Sequence, residues 1–558
     1  MSKSSITLGV DGGCAVLKGV GACSTGRLPG FGAFPDPGAA AVGVSSVSMQ
    51  YAPTVGSAQE VARFVALQDA LADRFRQFRE DPKQPYTAVV IPSQSFDPAE
   101  LAKIDGVAHY EERSLFNLML LRHPRLQVIY VTSKRLNPLV VDYYLHQMRG
   151  VPASHARRRL HLLDCDDASA RPLTQKILER PRLVERIRAA IGDPERAHMV
   201  VFNATGLERT LGVQLGIPVN ACDPQLTHLG HKTGSREVFE AAGLPMAPGR
   251  RGLRDVEDLE AALVSLWSEV PDARRLVVKL NDSFSGEGNG ILDLAPLRER
   301  AHTTADRAQL IREALPTLRL EAKGVGWDAY RAQFDAMGGV CELWVEGEGK
   351  RSPSAQMRIN PERAVQVLST HDQVLGGPSG QIFEGATFPA DPRYRLQVQD
   401  AGLRVGKVLA QRGVIGRFGV DFLAVPRSEG ASDLYAVEIN MRQGGTTHPF
   451  NTLKFLTDGH YDDEAGVFRT AQGQERAYFA TDTLCAPQYR GIMPFDLIDA
   501  MVVEGIHFRP DETGVVFHLL GCLSEFGKLG LTAIAPDVAQ AQGLYRETVG
   551  VLDQLART

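Results

Sequence analysis

The residues with the clearest chemical potential lie in the second half of the chain. Asp421 interrupts an apolar run, Gly419-Val-Asp-Phe-Leu423. Glu438 and Asn440 interrupt a second, Ala436-Val-Glu-Ile-Asn440. Residues two apart on a strand share a face, so Glu438 and Asn440 point the same way, and Asp421 joins them if the two strands pair. Two carboxylates and an amide oxygen make a hard-oxygen set suited to Mg²⁺, which keeps some waters and takes its other ligands from substrate phosphates. The alternative is a structural role, with Arg417 and Arg442 bridging the two acids. Arg442 follows in Met441-Arg-Gln-Gly-Gly-Thr-Thr-His-Pro449. A guanidinium just past the acids is placed to hold a transferring phosphate or an acyl phosphate. The Gly-Gly-Thr-Thr turn would leave backbone N–H groups exposed beside it.

Upstream, Asn281-Asp-Ser-Phe-Ser-Gly-Glu-Gly-Asn-Gly290 is rich in Gly and Ser. Such a loop lets backbone N–H groups approach phosphate oxygens closely. It matches neither the Walker A pattern nor the dinucleotide fingerprint. Two lysines flank it. Lys232 opens a helical pattern, and Lys279 sits inside the strand Leu276-Val-Val-Lys-Leu280. A lysine there is costly to bury unless paired, so it either snorkels from an edge or meets a phosphate. Val340-Cys-Glu-Leu-Trp-Val-Glu-Gly347 reads as a strand ending in a glycine turn. Its backbone edge could pair with an adenine ring, or it could be plain core.

The elements that must position these groups follow from composition and periodicity. The chain has 558 residues, 44% hydrophobic and 23% charged, which is globular usage spread over about three or four domains. A net charge of −5 argues against binding nucleic acid through bulk positive charge. No apolar run is long enough to span a membrane, and the N-terminus lacks the apolar stretch of a secretory signal. Cys14, Cys23, Cys165, Cys222, Cys341, Cys485 and Cys522 are widely spaced with no CxxC. That predicts reduced thiols in the cytoplasm, not a disulfide frame or a zinc site.

Residues 1–56, rich in Gly, Ala, Ser and Pro, read as a flexible extension. A capping box at Ser57-x-x-Glu60 opens the ordered chain. Strands at 87–92, 128–132, 199–202 and 217–220, with helices at 110–122 and 137–149, predict an open α/β sheet over 57–225. Residues 226–455 read as an α+β region. Its helices run from Lys232 to Gly243, over 255–268 and over 393–412. Its strands lie at 276–280, 339–345, 354–359, 365–369, 418–424 and 434–439. Residues 456–558 carry a strand at 515–520 and a terminal helix from about 536.

The order of these signals resembles the ATP-grasp ligases over 226–455: Lys, helix, Lys, Gly-rich loop, Glu strand, Asp strand, Glu-x-Asn-x-Arg. The flanks are similar to the pheganomycin-type peptide ligases. The stretches that carry this are Tyr110-Glu-Glu-Arg113, His155-Ala-Arg-Arg-Arg159, Leu178-Glu-Arg-Pro181, Asn203-Ala-Thr-Gly-Leu-Glu-Arg209, Leu229-Gly-His-Lys-Thr-Gly-Ser-Arg236, Ser369-Thr-His-Asp-Gln373 and Gly505-Ile-His-Phe-Arg509. The resemblance implies a pre-ATP-grasp α/β domain, a two-lobed ATP-grasp fold and a small C-terminal domain. It implies that Lys232 and Lys279 contact ATP phosphates and that Ser283, Ser285, Gly286, Gly288 and Asn289 form the loop over them. It places Glu342, Leu343 and Val345 at the adenine hinge, and Asp421, Glu438 and Asn440 on a pair of Mg²⁺ ions, with Mn²⁺ as a substitute. Arg442 and Lys279 would act on the reacting phosphate. The implied reaction is ATP-dependent carboxylate–amine ligation through an acyl phosphate, releasing ADP and phosphate. Its partners would be a small carboxylic acid or amino acid and an amine or short peptide, with no nucleic acid or membrane and with homo-oligomerisation open. His371 and His448 read as substrate or loop contacts, not general bases. The alternative is an ATP-binding regulator or scaffold without ligase activity. A carboxylase subunit or phosphoryl transferase is disfavoured, since neither a biotin-carrying segment nor a swivelling phosphohistidine domain is evident.

Overall fold

The computed structural model describes residues 53–557, apart from 284, 285, 287, 323, 377–381, 428 and 429. The expected extension at 1–56 thus lies outside the described residues up to residue 52. The first helix among the described residues begins at the predicted cap. The Ser57 hydroxyl accepts from the Glu60 N–H at 3.2 Å, and the Glu60 carboxylate accepts from the Gly56 N–H at 2.8 Å. Together they start the helix Ala58–Asp69.

Among the described residues three sheets form. The first holds β1 (Tyr86–Ile91), β2 (Leu126–Thr132), β3 (Leu160–Asp164) and β4 (Ala197–Val201), in the order β3-β2-β1-β4. All its pairs are parallel. β1 and β2 are almost wholly buried, which is why they read as continuous apolar runs. β3 escapes that signal because His161 and Leu162 are exposed at the sheet edge. The strand expected at 217–220 shrinks to one bridge between Met199 and Val219. Pro218 has no N–H to extend the ladder. The helix expected at 110–122 winds as 3₁₀ turns over Val107–Arg122.

The second sheet is antiparallel, with the order β5-β9-β6-β7-β8. Its strands are β5 (Gly249–Leu253), β6 (Arg275–Leu280), β7 (Asn289–Asp293), β8 (Arg319–Leu320) and β9 (Gly339–Leu343). Leu263 and Trp267 of the helix Val256–Glu269 pack against its apolar face. Lys279 pairs with Asn289 across β6 and β7, so the glycine-rich segment is a hairpin connection and Asn289 and Gly290 already belong to a strand.

The third sheet has ten antiparallel strands: β10 (Pro353–Ile359), β11 (Val365–Gly376), β12 (Ile382–Phe388), β13 (Gly416–Pro426), β14 (Ser432–Asn440), β15 (His460–Asp462), β16 (Val467–Arg469), β17 (Glu475–Cys485), β18 (Gly514–His518) and β19 (Lys528–Ala535). Phe388 pairs with Tyr478 and Ala386 with Ala480, so the sheet runs on from β12 into β17. β18 and β19 share a core with the first sheet, where Val515, Phe517 and Leu531 meet Tyr86, Val128 and Tyr144. In consequence, strands from early and late sequence surround the same interior.

One glycine fixes the entry to the helix Lys232–Ala241. A Cβ on Gly234 would lie 2.1 Å from the His228 carbonyl oxygen and 2.8 Å from Leu229 Cα. Both are backbone atoms and cannot swing aside. Gly234→Ala should therefore cost about 1–3 kcal/mol through overpacking and weaken nucleotide binding through Lys232. Gly543→Ala, in a helix with nothing within 4 Å of the added Cβ, should be neutral or slightly stabilising. Thermal melts of the two variants with and without ATP check this. An unchanged melt for Gly234→Ala would show that the turn before Lys232 yields freely.

Candidate active site

β13 and β14 bring the predicted carboxylates together. Asp421 is registered opposite Glu438, and Gly419 opposite Asn440, with a bulge after Asp421. The Asn440 amide donates to Asp421 at 2.9 Å and to Glu438 at 3.2 Å. Gln373 of β11 donates to the other Asp421 oxygen at 2.8 Å. Lys232, at the start of its helix, donates Nζ to Glu438. Burial and then the neighbouring Glu438 charge push the Asp421 pKa well above the usual carboxylate range. For Glu438, burial works in the same direction, but Lys232 outweighs it and holds the carboxyl well below its ordinary value. The pair is thus two acids sharing one low-dielectric spot that together favour a cation. The bridging role for Arg417 is not observed, since Arg417 donates instead to Asn451 at 3.3 Å.

Lys279 neither snorkels nor stands alone. It is 8% exposed and donates to Glu342 of β9 at 2.7 Å. Arg236 donates to the second Glu342 oxygen at 2.6 Å and to the Ala247 carbonyl at 3.0 Å. Burial works to raise the Glu342 pKa, but Lys279 and Arg236 overcome it and hold the carboxyl down. The strand edge at Glu342 is therefore an ionic clamp as well as a backbone edge. The Leu343 N–H donates to Pro248 O at 2.8 Å, and Lys350 Nζ donates to Val345 O at 2.9 Å. Trp344 lies between Arg275 and Lys350, each 4.8 Å from its ring centroid.

These groups line one cavity of about 1190 Å³, with Lys279, Ser283, Gly286, Asn289, Glu342, Leu343 and Val345 on one side and Asp421, Glu438, Asn440 and Arg442 on the other. Lys232 reaches it through Glu438. Ser283 Oγ is buried with no partner among the described residues. Gly288 passes so near it that a Cβ would lie 2.4 Å from Ser283 Cβ. Ser285 lies outside the described residues. Arg442 lies against a pair of touching rings, 5.7 Å from the Phe96 centroid and 5.9 Å from that of Phe202, which are 6.2 Å apart. Thr446 Oγ1, in the glycine-rich turn, is buried, without a partner among the described residues, and its residue lies on the cavity wall.

Sequence reasoning missed the far end of this cavity. Arg113 donates to Asp482 of β17 at 2.9 Å, and His448 shares the other Asp482 oxygen at 3.1 Å. Asp482 sits between Thr481 and Thr483, so no polar interruption of an apolar run marked it in the sequence. His371 does not line the cavity; it is fully buried against the Tyr478 hydroxyl at 2.6 Å.

The clamp at Glu342 generates a stability test. Glu342→Gln leaves Lys279 and Arg236 as buried cations without a counter-charge, which should cost about 3–5 kcal/mol at neutral pH. A depressed folded pKa stabilises above the unfolded value of 4.5, and that contribution fades as pH falls through the folded value. The gap between wild type and variant, read by thermal melts, should therefore be widest above pH 5 and narrow below pH 4.5. A gap that does not change with pH would mean that Glu342 acts through packing and not charge.

Comparison with known proteins agrees with this geometry. An IQCH-like ATP-grasp family model matches residues 224–323 and 321–464, and a PGM1 C-terminal domain model matches 496–548. An L-propargylglycine–L-glutamate ligase of Streptantibioticus cattleyicolor is 31% identical over 475 residues, covering 84% of this chain and 94% of that protein. IQ motif-containing protein H of Danio rerio is 23% identical over 377 residues, covering 60% of this chain and 35% of that one. Among solved structures, the biotin carboxylase domain of the Hydrogenobacter thermophilus 2-oxoglutarate carboxylase shares the fold. Its TM-score is 0.50 at 14% identity, over 84% of this chain and 90% of that one. The chain belongs to the ATP-grasp carboxylate–amine ligases, within the pheganomycin-type peptide-ligase group, and is an enzyme that forms carbon–nitrogen bonds.

Proposed function

We propose that the protein phosphorylates the carboxylate of a small acid or amino acid with ATP and delivers the acyl phosphate to the amine of an amino acid or short peptide. ADP and phosphate leave. The observation that carries this reading is the Asp421–Glu438–Asn440 face beside Arg442 in the cavity that also holds Lys279 and the glycine-rich hairpin. The relative named for L-propargylglycine and L-glutamate supports amino acids as both substrates.

In this reading Lys232 and Lys279 neutralise the ATP phosphates. Ser283, Gly286, Gly288 and Asn289, with Ser285 beside them in sequence, cover the phosphates. Glu342, Leu343 and Val345 frame the adenine. The donor set fits Mg²⁺ through the two carboxylates, whose repulsion a cation would relieve, with the Asn440 oxygen joining them once its amide, now donating to both acids, turns over. Two acids and an amide leave room for phosphate oxygens and water. Bound there, Mg²⁺ would neutralise phosphate charge during transfer. Arg442 orients the acid's carboxylate toward the γ-phosphate and then stabilises negative charge on the acyl carbon's oxygen when the amine attacks. The Thr446 hydroxyl and the nearby backbone N–H groups add donors at that point. Positioning and charge neutralisation supply most of the catalysis, and no nucleophilic side chain is needed.

The segments 57–225, 226–455 and 456–558 are taken as the domains of this enzyme. Support comes from the first sheet lying in the first segment and the β6–β9 and β13–β14 site strands in the second. A cytoplasmic setting fits the free thiols of Cys165, Cys222, Cys341, Cys485 and Cys522. No helix among the described residues is long and apolar enough to cross a membrane.

Hydroxylamine trapping tests the chemistry. With ATP, Mg²⁺ and pools of amino acids and other carboxylates, the wild type should yield a hydroxamate and ADP. Glu438→Ala and Arg442→Ala should each lower the rate at least about 100-fold. ATP binding with no hydroxamate from any acid would favour the regulatory reading.

A further inference from the structure

The cavity extends past Arg442 to an end that nucleotide and metal do not explain. There Arg113, Tyr110 and Phe202 from the first α/β region face Asp482 and Lys528 from the C-terminal strands. Two guanidiniums approach Phe202, Arg442 at 5.9 Å and Arg113 at 5.7 Å from its centroid. Arg113 also stacks on Tyr110 at 4.4 Å, and Lys528 Nζ lies 4.8 Å from the same ring.

Asp482 fixes Arg113 without consuming it. The ion pair uses Nη1 alone, and the remaining guanidinium donors have no acceptor among the described residues. Burial works to raise the Asp482 pKa, but His448 and Arg113 hold it well below the usual carboxylate range. It is a permanent anchor, not a proton carrier. A guanidinium pinned by a carboxylate and stacked on a ring is a preorganised fork for a second carboxylate. Both Asp482 oxygens are engaged, one by Arg113 and one by His448, so its charge is largely answered within the protein. Lys103, also on the wall here, is already paired with Glu100 at 2.8 Å.

We propose that Arg113, with Lys528 beside it, binds a free carboxylate on the amine-bearing substrate. The acceptor is then an amino acid or a peptide with a free carboxylate, and not a simple amine or polyamine. Asp482 is the positioning residue that aims Arg113. This rests on the ligase reading above, in which Arg442 marks the reacting carboxylate of the other substrate. The two carboxylates are thus assigned to two different cations, Arg442 and Arg113.

The test compares two acceptors in the same enzyme. Hydroxylamine carries no carboxylate, whereas L-glutamate and the other amino acids do. The acid identified by trapping is held saturating with ATP and Mg²⁺. Dipeptide formation is measured by mass spectrometry with each amino acid and with its carboxamide analogue. Wild type should couple amino acids and discriminate against the amides by about 30-fold or more in kcat/KM. Arg113→Gln should lower the preference for amino acid over hydroxylamine by about 30-fold, mainly through the acceptor KM. Lys528→Gln, a near-isosteric change at a partly exposed site, should lower that preference several-fold. Equal use of amino acids and amides by the wild type would overturn the proposal. So would an unchanged preference in Lys528→Gln together with parallel loss of both reactions in Arg113→Gln. Absence of any hydroxamate from the wild type would instead remove the ligase reading itself.

Discussion

Charges removed from water must find partners, and the cavity is organised around that requirement. A buried ion without a partner costs several kcal/mol even after relaxation. Glu342 answers Lys279 and Arg236, Asp482 answers Arg113, and Lys232 answers Glu438. Asp421 is the exception. It is buried and faces a like charge across adjacent strands, and burial first and that charge second raise its pKa. The Asn440 and Gln373 amides lessen that cost. A cation between the acids would remove it.

The same requirement explains why one sheet is not enough. The second sheet supplies the Lys279–Glu342 clamp, and the third supplies the carboxylate face. The pair that closes the far end joins Arg113 to Asp482 across 369 residues of sequence. Neighbouring residues of the same motif strengthen that closure. Glu112 accepts from the Gly521 N–H at 3.1 Å, and Glu111 accepts from Ser133 through both backbone and hydroxyl. The Tyr110–Arg113 stretch therefore holds early and late chain together while it aims one guanidinium into the cavity.

Much of this was legible in the sequence because it is local. Alternation exposed Asp421, Glu438 and Asn440 as polar interruptions of apolar strands, and the cap at Ser57 announced its helix. β1, β2, β6, β13 and β14 followed from apolar runs bounded by turns. The failures were local too. β3 lies at an edge where its side chains are half exposed, so the apolar signal is weak. The 217–220 run has strand-like residues, but Pro218 breaks the ladder. His371 looked chemical by type, yet its strand turns it into the core beside Tyr478.

By itself the sequence determined which groups bear charge, which of them share a strand face, and where the chain must turn. Those properties depend on residue type and on the two-residue and 3.6-residue periods of the backbone. Only the tertiary structure decided which charge meets which. Lys279 was an unassigned cation until β9 paired with β6 and brought Glu342 beside it. Arg113 and Asp482 belonged to separate readings until the first sheet and β17 enclosed the same cavity. Pair energies in a low-dielectric interior depend on distance and burial, and neither is a property of a residue's position in the chain.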